Sequence, residues 1–357
     1  MVVLLALHAC SVLLLFELVR RQAGDVMGVA CALILLLLGA GWENLLWAFQ
    51  MSFVGSVACG LAMLLALEAT PSRLRMPLAT GLLVASLMFS GVGLFFGVTA
   101  GVMLAVSKGR RRDLAWLAPV AILFAAWFLV YGRNGAAPNP PSSSDNILVL
   151  PLYVLWGMGE SAAALIGEGG LFGPPLLLLA AGAVGFAWWK GGITPLGLGA
   201  AAGLVSFYIV TGLSRAQLGY EQSGAGRYVY VGAVFWLIML ADALRLLPWR
   251  GTWRPALIAC VFLACFASAT LLYTFAIAKE VQMERQLADL QALAAVRGDR
   301  CLKPNGAVDL FVMPELTSPA LYYRAIDRYG DPAASTQVVD QVSFEQARAN
   351  LLTPGCA

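Results

Sequence analysis

The 357-residue chain is 60% hydrophobic and 12% charged, with a mean hydropathy of +0.79 and a formal net charge of +3. Soluble domains carry roughly a quarter charged residues, so this composition excludes an ordinary water-soluble globule and calls for a lipid solvent. The small positive excess is clustered in loops, which informs membrane orientation and gives no sign of nucleic acid as a partner.

The apolar runs are long and continuous rather than short alternations, so the spanning elements are helices and not barrel strands. The first run, Val2–Val19, ends at Arg20 and Arg21, with Glu17 placed to pair with either at helical spacing. It has no basic residue before it and so does not read as a signal peptide. Further crossings are expected at Val26–Trp42, Asn44–Leu67, Leu114–Tyr131, Phe172–Trp189, Pro195–Gly212, Tyr228–Leu247 and Pro255–Ala278. Pro77–Val106 is too long for one helix and is interrupted by Ser90-Gly91-Val92-Gly93, which predicts two short helices that enter and return. Asn146–Glu168 is apolar but contains Pro151, Glu160, Glu168 and several glycines, a pattern that suits a hairpin or interface-lying segment. The expected fold is an all-α polytopic membrane protein of about eight crossings plus one re-entrant pair.

Basic residues favour the cytoplasmic side. That rule places Arg20/Arg21, Arg73/Arg75, Lys108/Arg110/Arg111/Arg112, Lys190 and Arg245/Arg250/Arg254 inside. Glu43, segment 146–171, loop 213–227 and everything after Ala278 are then outside. Beyond Ala278 the composition becomes polar. Residues 279–297 carry Met283, Leu287, Leu290 and Leu293 at helical spacing, an amphipathic continuation of the last crossing. Residues 298–357 then read as a small extracytoplasmic α/β domain: strand Ala307–Met313, helix Pro319–Tyr329, strand Thr336–Asp340 and helix Ser343–Leu352. Its only cysteines, Cys301 and Cys356, flank it, and outside the cytoplasm they are expected to form a disulfide. The other five cysteines lie in spans without ligand spacing and read as small apolar filler.

Several chemistries are excluded. A single histidine, His8, rules out a multi-histidine metal centre, and no phosphate loop or partnered nucleophile is present. No cofactor is evident, although a divalent metal is left open. The candidates that remain are polar groups near the outer ends of helices. Glu43, between Trp42 and Trp47, is either a solvated turn or a carboxylate at a cavity rim. Gln50, two turns deeper, would be costly if unpartnered and so should face the bundle. Arg215 and Arg227 bracket the outer loop, where the positive-inside bias disfavours them; they bind an anion, snorkel to the headgroups or pair with Glu221. Asp242 with Arg245 reads as a structural pair.

These residues also carry a family resemblance. The stretch from His8 through Phe16-Glu17-Leu18-Val19-Arg20-Arg21 resembles the second helix of the GT-C superfamily of membrane glycosyltransferases. Trp42-Glu43-Asn44 through Gln50 resembles the start of their fourth helix, the interrupted Leu82–Val106 run their paired short helices, and Gly226-Arg227-Tyr228-Val229-Tyr230 the opening of a late helix. The likeness covers roughly residues 1–278. It implies transfer of a sugar from a polyprenyl-phosphate donor on the outer face of a bacterial-type plasma membrane. It also implies that the family's catalytic acid, in the first outer loop, would precede Met1, so the natural chain is expected to begin earlier. On this reading Arg227, supported by Arg215, Tyr228, Gln50 and His8, contacts the lipid-linked donor, and Glu43 is the candidate base. A non-catalytic assembly or binding subunit, a lipid-linked polysaccharide polymerase or ligase, and a transporter are the alternatives.

Overall fold

A computed structural model describes residues 1–132, 144–247, 251–303, 308, 316, 318–331, 333, 337–338 and 340–353. Contacts divide the chain into two units, Met1–Tyr273 and Thr274–Ala357. The first unit contains α1 (Val2–Ala23), α2 (Asp25–Leu36), α3 (Glu43–Leu46), α4 (Met51–Glu68), α5 (Arg75–Phe89), α6 (Gly93–Val106), α7 (Ala118–Val130), α8 (Asp145–Ala163), α9 (Gly173–Trp189), α10 (Pro195–Arg215) and α11 (Gly226–Leu244). A single 43-residue helix, α12 (Trp253–Ala295), begins in the first unit and ends in the second. The second unit adds α13 (Pro319–Tyr329) and α14 (Gln341–Leu351).

Eight helical segments among the described residues are long and apolar enough to cross a bilayer, so the chain is an integral membrane protein of the all-α polytopic class. Their membership differs from the sequence expectation. The run Val26–Trp42 is not one helix: α2 stops at Leu36, and Gly39–Gly41 forms a 3₁₀ turn before α3. Close approach explains the break, because a Cβ on Gly39 would strike the Ser268 carbonyl oxygen and one on Gly41 would press on the Tyr230 ring at 3.2 Å. Irregular backbone at such a depth is tolerated because it is buried in protein and keeps its bonds, with Gly41 N donating to Leu38 O and Trp42 N to Gly39 O.

The segment expected to lie at the interface instead forms a continuous helix, α8, extended by a 3₁₀ turn to Ile166, and this is long enough to span. Its contacts show it passing across other helices. Asn146 Nδ2 bonds Leu213 O and Gln217 Oε1 at the end of α10, and Gly157 abuts Tyr208 and Ser223. Ser161 lies beside Gly232 of α11, and Gly167, past the end of the helix, beside Ser268 of α12. The indole of Trp236 locks the crossing by donating to Met158 O at 3.0 Å.

The helix ends sort into two faces. On one, Arg75 bonds Asp113 (2.8 Å), Arg110 bonds Leu67 O (2.8 Å), and Arg245 bonds Gly192 O (2.7 Å). On the same face Asp242, fully buried, accepts from both the backbone N–H and the hydroxyl of Thr194. Helices α4, α10 and α11 each run from this basic face to the opposite one, where Glu43, Asn146, Arg215 and Arg227 lie. Helices α5 and α6 start and finish on the basic face and meet at the Ser90–Val92 elbow, the paired arrangement that the glycines suggested. Reciprocal bonds between Ser56 and Ser86 (Ser56 Oγ to Ser86 O, 2.9 Å; Ser86 Oγ to Ser56 O, 2.7 Å) pin α5 to α4. The local pairs expected from spacing are also formed: Glu17 with Arg20 and Arg21, and Asp242 with Arg245.

In the second unit, Ala292, Leu293 and Val296 pack with Val308, Tyr322, Ala347, Leu351 and Leu352. Tyr323 OH donates to Leu293 O at 2.8 Å, and Asp340 caps α14 through Ser343 N. Residues 301–303 and 351–353 run antiparallel, with Lys303 N on Leu351 O, Thr353 N on Cys301 O and a single bridge between Leu302 and Leu352. No strand occurs among the described residues, so their fold is helical where an α/β domain was expected. Of the expected strands, Ala307–Met313 lies outside the described residues apart from Val308. Gln337, Val338 and Asp340 of Thr336–Asp340 are not in a strand, and Thr336 and Val339 lie outside the described set. Cys301 is disulfide-bonded, and its expected partner Cys356 lies outside the described residues.

Candidate functional site

Two of the sequence candidates come together as an ion pair. The Arg227 backbone N–H and Nη1 both donate to Glu43 Oε2 at 3.2 Å. Arg227 opens α11, so its N–H belongs to the first helical turn, where donors lack an intrahelical acceptor. Glu43 therefore caps α11 from a distant part of the chain. Its carboxylate also suits the positive end of the helix dipole. Asn44 reinforces the junction by donating Nδ2 to Arg227 O at 3.2 Å. The close fit depends on Gly226, whose Cβ would lie 2.9 Å from Ala40 O. The Arg227 guanidinium rests over the Tyr228 ring, 5.1 Å from its centroid. Glu43 is 13% exposed, so it is neither a solvated turn nor a free carboxylate.

Arg215 has a different environment. It ends α10 at the side of a cavity of about 510 Å³, lined by Phe53, Phe95, Phe124, Phe207 and Tyr228 among others. Among the described residues it makes no ion pair, and Glu221, its expected partner, pairs with neither arginine. The cavity is bounded by the start of α4, the α5–α6 elbow, α7 and the C-terminal half of α10. An unpaired guanidinium at an apolar cleft offers a planar fork for an anion whose remainder is hydrocarbon.

The other candidates are placed elsewhere. His8 is buried, with Nδ1 at 2.9 Å from Tyr230 OH and Nε2 at 3.2 Å from Leu36 O. A ring that donates to the Leu36 carbonyl can accept from Tyr230, so both nitrogens are used in tying α1 to α2 and α11. Gln50 is buried at the entry to α4, one turn before Phe53, but does not line the cavity. Its Oε1 has no hydrogen-bond partner among the described residues.

Sequence reasoning passed over Glu160 except as an argument against a crossing. Its Oε2 accepts from Gly170 N at 3.0 Å, and its Oε1 is buried without a hydrogen bond among the described residues. Glycines 169, 173 and 224 make the room, since a Cβ on Gly224 would meet Glu160 Cγ at 3.1 Å. The sequence signal was the run of glycines following a carboxylate in an apolar segment. Glu160 does not line the Arg215 cavity.

No cluster of three or more potential metal ligands occurs among the described residues, and Glu43 Oε2 is already taken by Arg227, so the residues here fit a divalent metal poorly. The cleft is suited to holding an amphiphilic anion. No family model matches the chain, and no curated protein or solved structure matches it significantly.

Proposed function

We propose that the chain binds the phosphate of a long-chain lipid at the face opposite its basic clusters, in the service of sugar transfer from a polyprenyl-phosphate donor. The observation that carries this reading is Arg215, without an ion pair among the described residues and beside an apolar cavity of about 510 Å³ with Tyr228 on its wall. Charge-assisted contacts from guanidinium to phosphate oxygens are among the stronger hydrogen bonds, and the apolar lining would take the first part of the tail. Arg215 becomes the principal phosphate group in this reading. Arg227, its charge compensated by Glu43, closes the adjacent turn and places Tyr228 on the cavity wall. The positive-inside rule supports a cytoplasmic position for the basic face and an extracytoplasmic one for the Arg215 face and the C-terminal unit.

In the transfer reaction an acceptor hydroxyl attacks the anomeric carbon, the bond from that carbon to the phosphate oxygen breaks, and the phosphate leaves with the electron pair. The acceptor proton must pass to a base. Arg215 would stabilise the departing charge. Glu43 is engaged with Arg227, and this favours a second reading in which the chain binds the lipid and another subunit supplies the base.

The test is retention of a polyprenyl monophosphate by the purified full chain, together with sugar transfer from the glycosylated lipid. Arg215→Ala should weaken retention about tenfold or more and Arg215→Lys less, because the lysine keeps the charge without the fork. Arg215→Ala protein that keeps wild-type retention would refute the proposal. Retention without transfer would select the binding-subunit reading.

A further inference from the structure

A second apolar cleft opens on the basic face, remote from Arg215. It lies between α2 and the first part of α12, holds about 520 Å³, and is lined by Val29 and Leu33 on one side and Ile258 and Phe262 on the other. The helices converge where Gly39 and Gly167 press on the Ser268 backbone. Toward the basic face they diverge, and the mouth carries Asp25 on α2 and Arg254 on α12. From Arg254 to Ser268 is about 21 Å at 1.5 Å per residue, somewhat more than half the hydrocarbon thickness of a bilayer. The wedge therefore has the depth of one leaflet.

The charges at the mouth indicate the occupant. Asp25 and Arg254 are not within ion-pair distance of each other, and Arg254 makes no ion pair among the described residues. Asp25 has a side chain 81% exposed and only a long 3.9 Å approach from Arg20, whose shorter contact is to Glu17 at 2.7 Å. A purely anionic headgroup would meet Asp25 unfavourably, and a purely cationic one would meet Arg254 in the same way. A headgroup with a phosphate and a primary ammonium a few bonds apart complements both. The ammonium supplies the hydrogen-bond donors that a carboxylate accepts, and the phosphate suits the guanidinium.

We infer that this wedge is a structural binding site for one phospholipid of the basic-face leaflet with a phosphoethanolamine headgroup, its phosphate on Arg254 and its ammonium on Asp25. One acyl chain fills the space between α2 and α12 and completes packing that the side chains leave open. The site is independent of the lipid-phosphate reading above.

The test is native mass spectrometry of the full chain in detergent with three lipids of identical chains: phosphatidylethanolamine, its N-trimethyl analogue phosphatidylcholine, and phosphatidylglycerol. Wild-type protein should retain the primary amine about threefold over either competitor, the scale of a solvent-exposed charge contact. Asp25→Asn should erase that preference while leaving retention. Arg254→Gln should lower retention of all three about tenfold, with Arg254→Lys intermediate. Val29→Trp, which fills the wedge without touching either charge, should release the lipid from protein that still unfolds cooperatively. Equal retention of the three lipids by wild type, or insensitivity to Arg254→Gln, would overturn the inference. So would a dimer crosslinked through Ile258→Cys, because a second copy would then cover the wedge.

Discussion

Glu43 and Arg227 are 184 positions apart, and their coupling is a sharp test of how the Arg227 end of the candidate site is built. Three effects converge on Glu43 Oε2: the guanidinium contact, the Arg227 N–H and the helix dipole of α11. A hydrogen bond to a charged group contributes about 1.5–3 kcal/mol net when partly buried. A charge at a helix N-terminus adds about 0.3–1 kcal/mol. Glu43→Gln keeps an acceptor for the N–H but loses the charge, and should cost about 1.5–3 kcal/mol. Glu43→Ala also leaves the α11 N–H uncapped and should cost about 1 kcal/mol more. Arg227→Gln should be similarly destabilising, because it strands the Glu43 carboxylate at 13% exposure. The double variant Glu43→Gln, Arg227→Gln should then recover much of the loss, with a coupling energy of about 1.5–3 kcal/mol. Reversible unfolding of the full chain in mixed SDS micelles measures each corner of the cycle. Additivity within about 0.5 kcal/mol would show that the two side chains do not act as a pair and would refute this account of the site.

Three other expectations are independent of that pair. Single cysteines at Lys108 and Tyr220, in a background lacking the native free thiols, should label from opposite sides of the membrane, with position 220 reached by an impermeant reagent from outside; labelling of both from one side would contradict the two faces. Hydrogen bonds from the Ser343 hydroxyl and backbone N–H hold the Asp340 carboxyl below its usual range. A group with a depressed folded-state pKa gives its stabilisation in full above the ordinary carboxylate range and loses it as pH falls through the lowered value. Amide-exchange protection of α14 should follow that course, and Asp340→Asn should flatten it; an unchanged acid profile in the variant would remove Asp340 as the cause. Finally, Cys301→Ser should destabilise the second unit by about 2–5 kcal/mol, the usual effect of removing a native disulfide from a small domain, measured as proteolytic sensitivity of residues after Thr274. Equal resistance in the variant and wild type would show that the disulfide does not support that unit.

Much of the architecture could be read from composition because lipid leaves the backbone so few options. Runs of apolar residues favour helices, and the glycines at 91 and 93 mark the α5–α6 elbow. The two discrepancies in the membrane unit have one cause. Whether an apolar stretch crosses, breaks or lies across its neighbours depends on contacts distant in sequence, such as Gly39 against Ser268 and Trp236 against Met158. Hydropathy averages over such contacts. The candidate site was partly visible for the same reason. Charges at the ends of apolar runs stand out, so Glu43, Arg215 and Arg227 became candidates, but which carboxylate meets which arginine depends on α3 docking at the start of α11. His8 was expected at the donor site only through the resemblance of its helix to one of the GT-C superfamily. Its two hydrogen bonds are internal to the bundle, and nothing local to the sequence announces Tyr230 and Leu36 as its partners.

The two arginines that bracket the α10–α11 loop are alike in sequence and opposite in circumstance, and that contrast bears on which of them is available to a ligand. Arg227 has its charge compensated by Glu43, its backbone N–H used as a helix cap and its guanidinium resting on Tyr228. Each contact raises the cost of turning it toward a new partner, since a buried carboxylate would be left behind. Among the described residues Arg215 has no such ties, and its side chain lines a largely apolar cavity. An anion that binds there adds a compensating charge where the described residues supply none and does not have to displace one of them. Helix α7 forms part of the same wall while burying only Val120 among its own residues. The α7 wall is thus apolar and largely exposed among the described residues, a surface that a lipid tail entering the cleft would cover.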